Sequence, residues 1–216
     1  MTLQATGAQL PRTKPAARRT AWAWQIGAIA LACLPLVYTV WQLATLPVTN
    51  PSQLLQRSLG LWALRLLLVT LAITPLVRAT GWYRLVPLRR TLGLASFAYA
   101  CAHLAVYLWL DMGFDARELV LDLAERPFIV VGALVLLCLL PLAATSTAAA
   151  QRALGARRWK RLHRLVYVAV LLAALHYLLA TKVALTTPLL HGAVALTLLA
   201  LRLKPRRVAP RGQVQP

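Results

Sequence analysis

Four histidines, His103, His163, His176 and His191, stand in a chain whose other reactive groups are scarce or badly placed. Neutral imidazole binds transition metals and exchanges protons near neutral pH, so each is a candidate for redox or proton chemistry. The five carboxylates, Asp111, Asp115, Glu118, Asp122 and Glu125, all fall in one short stretch. That distribution excludes paired-carboxylate catalysis within the apolar segments. Cys33, Cys101 and Cys138 each sit in an apolar run without CxxC or other metal-ligand spacing, and they read as packing residues. No catalytic residue set is therefore expected in the chain itself.

The elements that must position these histidines are membrane spans. Of 216 residues 60% are hydrophobic, too apolar for an ordinary soluble domain. Six apolar segments, 22–46, 58–77, 91–110, 127–147, 162–181 and 187–203, each approach the ~20 residues needed to cross a bilayer. Prolines punctuate most of the gaps. A net charge of +19 would suggest nucleic acid if it formed one patch, but the basic residues lie in blocks between apolar runs, so no nucleic-acid partner is expected. Arg12, Lys14, Arg18 and Arg19 precede the first segment. Arg78, Arg84, Arg89 and Arg90 follow the second, Arg152 to Arg164 follow the fourth, and Arg202 to Arg211 follow the sixth. With six spans all these blocks share one side, which the positive-inside rule makes cytoplasmic.

The expected architecture is an all-α polytopic membrane helix bundle with six transmembrane helices and both termini in the cytoplasm. Residues 1–21 read as a basic N-terminal segment, 22–203 as the transmembrane domain and 204–216 as a basic tail. Arg18-Arg19 precedes a run too long for a signal-peptide core, so a first transmembrane helix is expected there. The acidic 111–126 loop is expected to form a short amphipathic helix at the outer surface, its apolar face made by Leu119, Val120, Leu121 and Leu123.

Depth singles out one pair. His103 lies about seven residues before the outer end of the third segment, and His176 about five before that of the fifth. At ~1.5 Å per residue they stand within a few ångströms of one level. Two imidazoles from different helices at one depth can clamp a haem iron from both faces. Arg65 counts to that same level and is a candidate for the haem propionates; snorkelling to the interface is its other reading. Taken singly, a membrane histidine can equally be an interhelical hydrogen-bond residue. His163 precedes His176 by thirteen residues, about 20 Å and a phase of about 220° along one ideal helix, so the two rings would not share a face. It either ligates a second haem, touches a propionate or flavin, or is an interfacial residue in a basic run. His191 reads as structural.

Several stretches carry a family resemblance. They are Thr74-Pro75-Leu76, Arg89-Arg90-Thr91-Leu92-Gly93-Leu94 leading to His103-Leu104, and Arg126-Pro127-Phe128. Pro141 to Ser146, Leu154-Gly155 through Trp159, Leu162 to Tyr167 and His176-Tyr177 complete the set. From about residue 55 to 203 the chain resembles the MsrQ (YedZ-type) family of haem-binding membrane subunits, in the ferric-reductase-like transmembrane group. The resemblance implies haem b bound by residues matching His103, His163 and His176, and it implies FMN. It further implies the bacterial inner membrane and electron intake from the quinone pool or a cytoplasmic flavin reductase. The implied acceptor is a periplasmic molybdopterin-containing subunit that reduces methionine sulfoxide in oxidised proteins. Two-haem ferric reductases carry two histidines on each of two helices; this chain has one on its third segment, and His191 lies outside the pattern.

The function expected is thus electron transfer within an oxidoreductase complex, the catalytic site lying on a partner subunit. The nearest rival is the membrane part of a ferric reductase served by a separate flavin and nicotinamide protein. A small non-redox transporter or scaffold is the rival of another class, although transport would call for polar, broken helices around a central site. The basic residues Arg157, Arg158, Lys160 and Arg161 suit a flavin phosphate.

Overall fold

A computed structural model describes residues 15–203, with side chains over 22–202. The expectations for 1–14 and 204–216 lie outside the described residues. The described chain is helical throughout, without a strand. In order, the helices are α1 (Pro15–Thr45), α2 (Pro51–Thr80), α3 (Leu88–Val106), α4 (Ala116–Glu125), α5 (Pro127–Ala144), α6 (Ala148–Leu162), α7 (Leu165–Ala180) and α8 (Thr186–Leu203). Four spans are long and apolar enough to cross a membrane: Trp22–Thr45, Pro51–Thr80, Tyr83–Asp111 and Pro127–Ala144. The pair α6–α7, bent by 45°, makes a fifth if it counts as one span, and α8 is a shorter apolar helix. The protein is a multi-pass membrane protein.

Helix α2 is the centre of the bundle. Asn50 caps it by accepting from the Gln53 amide at 3.0 Å, and Pro51 fits the first turn because its missing N–H would have no partner there. Gly81, at φ 72°, ends it in the left-handed conformation. One face of α2, with Leu64, Leu67, Leu68 and Leu71, packs with Leu139 of α5, Ala169 and Val170 of α7 and Ala195 of α8. Its other face, with Leu59, Leu66, Ile73 and Val77, packs with Ala32 of α1 and with Leu92 and Tyr99 of α3. Outward-facing residues such as Ile26, Leu31, Val37, Leu137 and Leu196 are apolar and exposed, as lipid solvation requires.

Polar contacts inside the bundle tie α3 to its neighbours. The Tyr99 hydroxyl donates to the Ala32 carbonyl at 2.7 Å, and Ser96 donates to the Ala63 carbonyl at 2.7 Å. Each satisfies a hydroxyl that lipid could not.

Three local features differ from the sequence expectations. Helix α2 begins at Pro51, earlier than residue 58, because the cap at Asn50 starts the helix in the mixed polar and apolar stretch 51–57. The basic connection after α5 is itself a helix, α6, capped by Thr147 and kinked at Gly155 (φ 71°). The acidic loop forms a helix, α4, with Val120 and Leu121 exposed, and its difference lies in one carboxylate. What turns inward is Asp122, which accepts from the Tyr107 hydroxyl at 2.9 Å and pairs with Arg126 at 3.0 Å. The buried carboxylate is tolerated because both partners satisfy it.

Candidate metal centre

The most extensive pairings of the bundle are α2 with α3 and α5 with α7, and each carries one histidine into the space between them. His103 lies in the last turn of α3, and His176 in the last part of α7. Their ring centroids stand 6.1 Å apart with the planes at 82°.

Both rings are held by the same device. His103 Nδ1 donates to the Gln56 carbonyl of α2 at 3.0 Å, and His176 Nδ1 donates to the Phe128 carbonyl of α5 at 2.7 Å. A carbonyl only accepts, so the hydrogen sits on Nδ1 and Nε2 keeps its lone pair for a metal. One turn beyond each accepting carbonyl stands a glycine. A Cβ at Gly60 would lie 3.2 Å from His103 Cε1 and Nδ1, and one at Gly132 would lie 2.8 Å from His176 Cε1 and 3.0 Å from its Nδ1. The missing side chains are what let the imidazoles lie against the neighbouring helix.

Two imidazoles do not complete the coordination of a bare ion. Among the described residues no group of three or more His, Cys, Asp or Glu side chains could hold one. Two ligands suffice where a macrocycle supplies the rest, as in haem. A metal–nitrogen bond of about 2 Å on each side puts two opposed imidazole centres roughly 6 Å apart, which matches the separation observed. The carbonyl held at each Nδ1 is the outer partner that ligating histidines require. The residues fit a haem iron held between His103 and His176.

The other sequence candidates stand elsewhere. His163 caps α6, one helix before His176, so a phase counted along a continuous helix does not apply to it. Its ring stacks on Trp159 at 3.9 Å, and its Nδ1 bonds the Trp159 carbonyl at 3.1 Å. Trp159 in turn donates to the Thr145 carbonyl at 3.0 Å, which ties this corner to the end of α5. The Arg65 guanidinium lies 4.8 Å from the centre of the Trp62 ring, a cation–π contact. Because Gly60 is the residue against His103, Arg65 sits about 7 Å further along α2, deeper than a helix starting at 58 would put it. His191 packs edge-on against Tyr177 at 5.7 Å and bonds the Thr187 carbonyl of its own helix at 2.8 Å.

Sequence reasoning missed Gly60, Gly132 and the two accepting carbonyls. One signal was available. The separations from acceptor to histidine, 47 residues for Gln56 to His103 and 48 for Phe128 to His176, are nearly equal. Behind the first acceptor lies a polar network that the second lacks, because the side chains of Gln56 and Ser52 both donate to Asp111.

Comparison with known proteins points to one family. A family model described as "Ferric reductase like transmembrane component" matches residues 59–174, which include Gly60, His103, Gly132 and His163. The chain is 47% identical over 158 residues to the "Protein-methionine-sulfoxide reductase heme-binding subunit MsrQ" of Azospira oryzae, covering 73% of this chain and 68% of that one. It is 44% identical over 188 residues to the protein of the same description from Caulobacter vibrioides, covering 86% and 90%. With the one from Bordetella pertussis it shares 49% over 155 residues, covering 71% and 75%.

Proposed function

Because this chain belongs to the MsrQ family of heme-binding subunits, within the ferric-reductase-like transmembrane group, we propose that it is a haem b electron-transfer subunit in which His103 and His176 would hold the haem iron. The observation that carries this reading is the pair of imidazoles 6.1 Å apart, each with Nδ1 on a carbonyl of the neighbouring helix. Haem, when bound, supplies a one-electron carrier that no side chain of this composition could provide. The chain's own residues do the rest. Gln56 and Phe128 fix the tautomer and direction of the rings through their backbone oxygens. Gly60 and Gly132 admit the rings between helices, and the apolar residues around α2 exclude water.

In this reading six helices span the inner membrane, with α6–α7 counted as one span and α8 as the sixth, and both termini are cytoplasmic. The support is that the carboxylates then share the outer face while the basic blocks share the inner one. Electrons enter at the basic face from the quinone pool or a cytoplasmic flavin reductase, with FMN as the flavin. They leave at the acidic face to a periplasmic molybdopterin-containing reductase of protein methionine sulfoxide, where the substrate chemistry takes place. His163, stacked on Trp159 at the basic end, lies on the side where electrons arrive.

Absorption spectroscopy tests the ligand pair. His103→Ala and His176→Ala are each expected to lose the Soret band of protein made with ample haem. Wild-type haem content in both variants would overturn the assignment. For the acceptor, the purified subunit should reduce a co-purified outer-face reductase in proportion to its haem content.

A further inference from the structure

The basic end of the bundle holds a second constellation, apart from the histidines. Pro75 has no N–H, so the Leu71 carbonyl of α2 loses the hydrogen bond a helix would give it. Arg202 of α8 replaces that donor, with Nη2 at 2.7 Å and Nε at 3.2 Å from the Leu71 oxygen, while its Nη1 reaches the Tyr167 hydroxyl at 3.3 Å. The Arg202 guanidinium also lies 5.6 Å from the Tyr167 ring centre. A defect in one helix thereby pins a cation from another. Arg78, in the last turn of α2, reaches the Leu201 carbonyl beside it at 3.5 Å. Arg89, at the start of α3, lies within electrostatic reach of both guanidiniums, and its Nε is buried without a hydrogen-bond partner among the described residues.

Three guanidiniums from three helices thus stand at one end of the bundle, and every hydrogen bond above is to a neutral oxygen. No carboxylate is near, since the five acids of the chain all lie between Asp111 and Glu125 and the ion pair among the described residues is Arg126–Asp122. Like charges held together at the edge of an apolar bundle repel one another, and a desolvated donor without an acceptor adds to the cost. An anion with several acceptor oxygens removes both penalties, and the planar guanidinium fork matches phosphate. Basic pockets between spanning helices on the positive side of a membrane face anionic lipid headgroups.

We propose that Arg78, Arg89 and Arg202 form a binding site for a phosphate ester, supplied by the headgroup of an anionic phospholipid. Arg202 is the fixed wall, held by Leu71 and Tyr167; Arg78 and Arg89 carry the donors that engage the ligand. The site is independent of the haem ligands, which lie towards the opposite end of α2 and α3.

The test uses full-length protein in nanodiscs of phosphatidylcholine with or without phosphatidylglycerol, retained lipid being counted by native mass spectrometry. Wild type is expected to keep phosphatidylglycerol in preference to phosphatidylcholine. Arg78→Gln with Arg89→Gln should weaken that preference about tenfold or more, as the loss of charge-assisted hydrogen bonds implies, with the haem spectrum unchanged. Arg78→Gln alone, at an exposed helix end, gives the same direction should the double variant fold poorly. Arg152→Gln on exposed α6 is the control for the single variant and should leave retention within about twofold. Equal retention by wild type and the Arg78/Arg89 variant, or an equal loss in the α6 control, would overturn the site. Binding of millimolar inorganic phosphate or glycerol phosphate that depends on Arg78 and Arg89, with no preference for phosphatidylglycerol over phosphatidylcholine, would uphold the phosphate site and overturn the lipid as its source.

Discussion

The two halves of the proposed haem site are built alike and surrounded differently. In each, a histidine donates Nδ1 to a carbonyl on the adjacent helix and lies over a glycine one turn further on. On the α2–α3 side the accepting residue, Gln56, also sends its side chain to Asp111, together with Ser52. On the α5–α7 side the accepting residue is Phe128, whose ring tilts at 56° towards His176 from 6.1 Å. The difference separates two jobs. Backbone oxygens and missing side chains position the imidazoles, and they do so on both sides. The charge around the imidazole is set by side chains, and only the first half has a carboxylate within reach.

Removing an imidazole breaks the likeness outright. His103→Ala and His176→Ala should each abolish the spectrum of a bis-histidine haem, and by the same extent, because iron held from one face loses half its protein ligands. A variant that kept the wild-type spectrum would show that its half is dispensable. The next effect comes from the glycines, and it is graded. A Cβ at Gly132 would press to 2.8 Å of the His176 ring, closer than carbon atoms pack, and that ring is tied down by a 2.7 Å hydrogen bond. Overpacking of about 1–3 kcal/mol set against a helix-propensity gain of about 1 kcal/mol leaves Gly132→Ala destabilising by up to about 2 kcal/mol, towards the upper end because the contact is with a tied ring. Haem content should fall with it. Gly60→Ala meets His103 at 3.2 Å, where a shift of a few tenths of an ångström relieves the contact, so its melting temperature should stay close to wild type while the spectrum changes slightly. Thermal melting and pyridine haemochrome assays of both variants check the order.

How much of this was legible in the sequence follows from what a sequence encodes along one axis. The depth of His103 and His176 could be counted because a helix rises by a fixed step, and the structure does bring the two rings together. The glycines could not be paired with the histidines, because the register of α2 against α3, and of α5 against α7, depends on packing between helices distant in the chain. Arg65 shows how a boundary error spreads: the seven residues from Pro51 that precede position 58 shift every depth counted on α2. Helix α6 has no signal in the sequence, since its Arg and Lys residues lack an apolar stripe; its cap at Thr147 and the Trp159 contact to Thr145 give it a shape that composition does not. The break between α6 and α7 at His163 and Arg164 likewise has no proline or glycine to announce it.

Smaller effects sharpen the contrast in charge. Asp111→Asn removes the carboxylate that Gln56 and Ser52 hold behind His103, and with it a negative charge that favours oxidised iron. A unit charge acting over about 10 Å at an effective dielectric of about 20 contributes about 1–2 kcal/mol, so on that scale the midpoint potential should rise by some tens of millivolts with haem content unchanged. Redox titration of the purified variant measures it. A fall in potential, or loss of haem, would mean that the network positions His103 rather than sets its charge.

The smallest effect is expected from Phe128→Leu, and it tests the positioning half of the comparison. Phe128 holds His176 through its backbone oxygen, which the substitution leaves in place. The tilted ring contact at 6.1 Å is lost, a term of about 1 kcal/mol or less for an aromatic pair, and leucine refills most of the volume in an apolar surrounding. Haem content and midpoint potential should therefore match wild type within error, whereas Gly132→Ala, one turn away on the same helix, should lower both haem content and stability. Equal damage from the two substitutions would place the hold on His176 in the Phe128 side chain and end the likeness between the halves. Damage from the glycine alone would locate that hold in the α5 backbone and in the absence of a side chain.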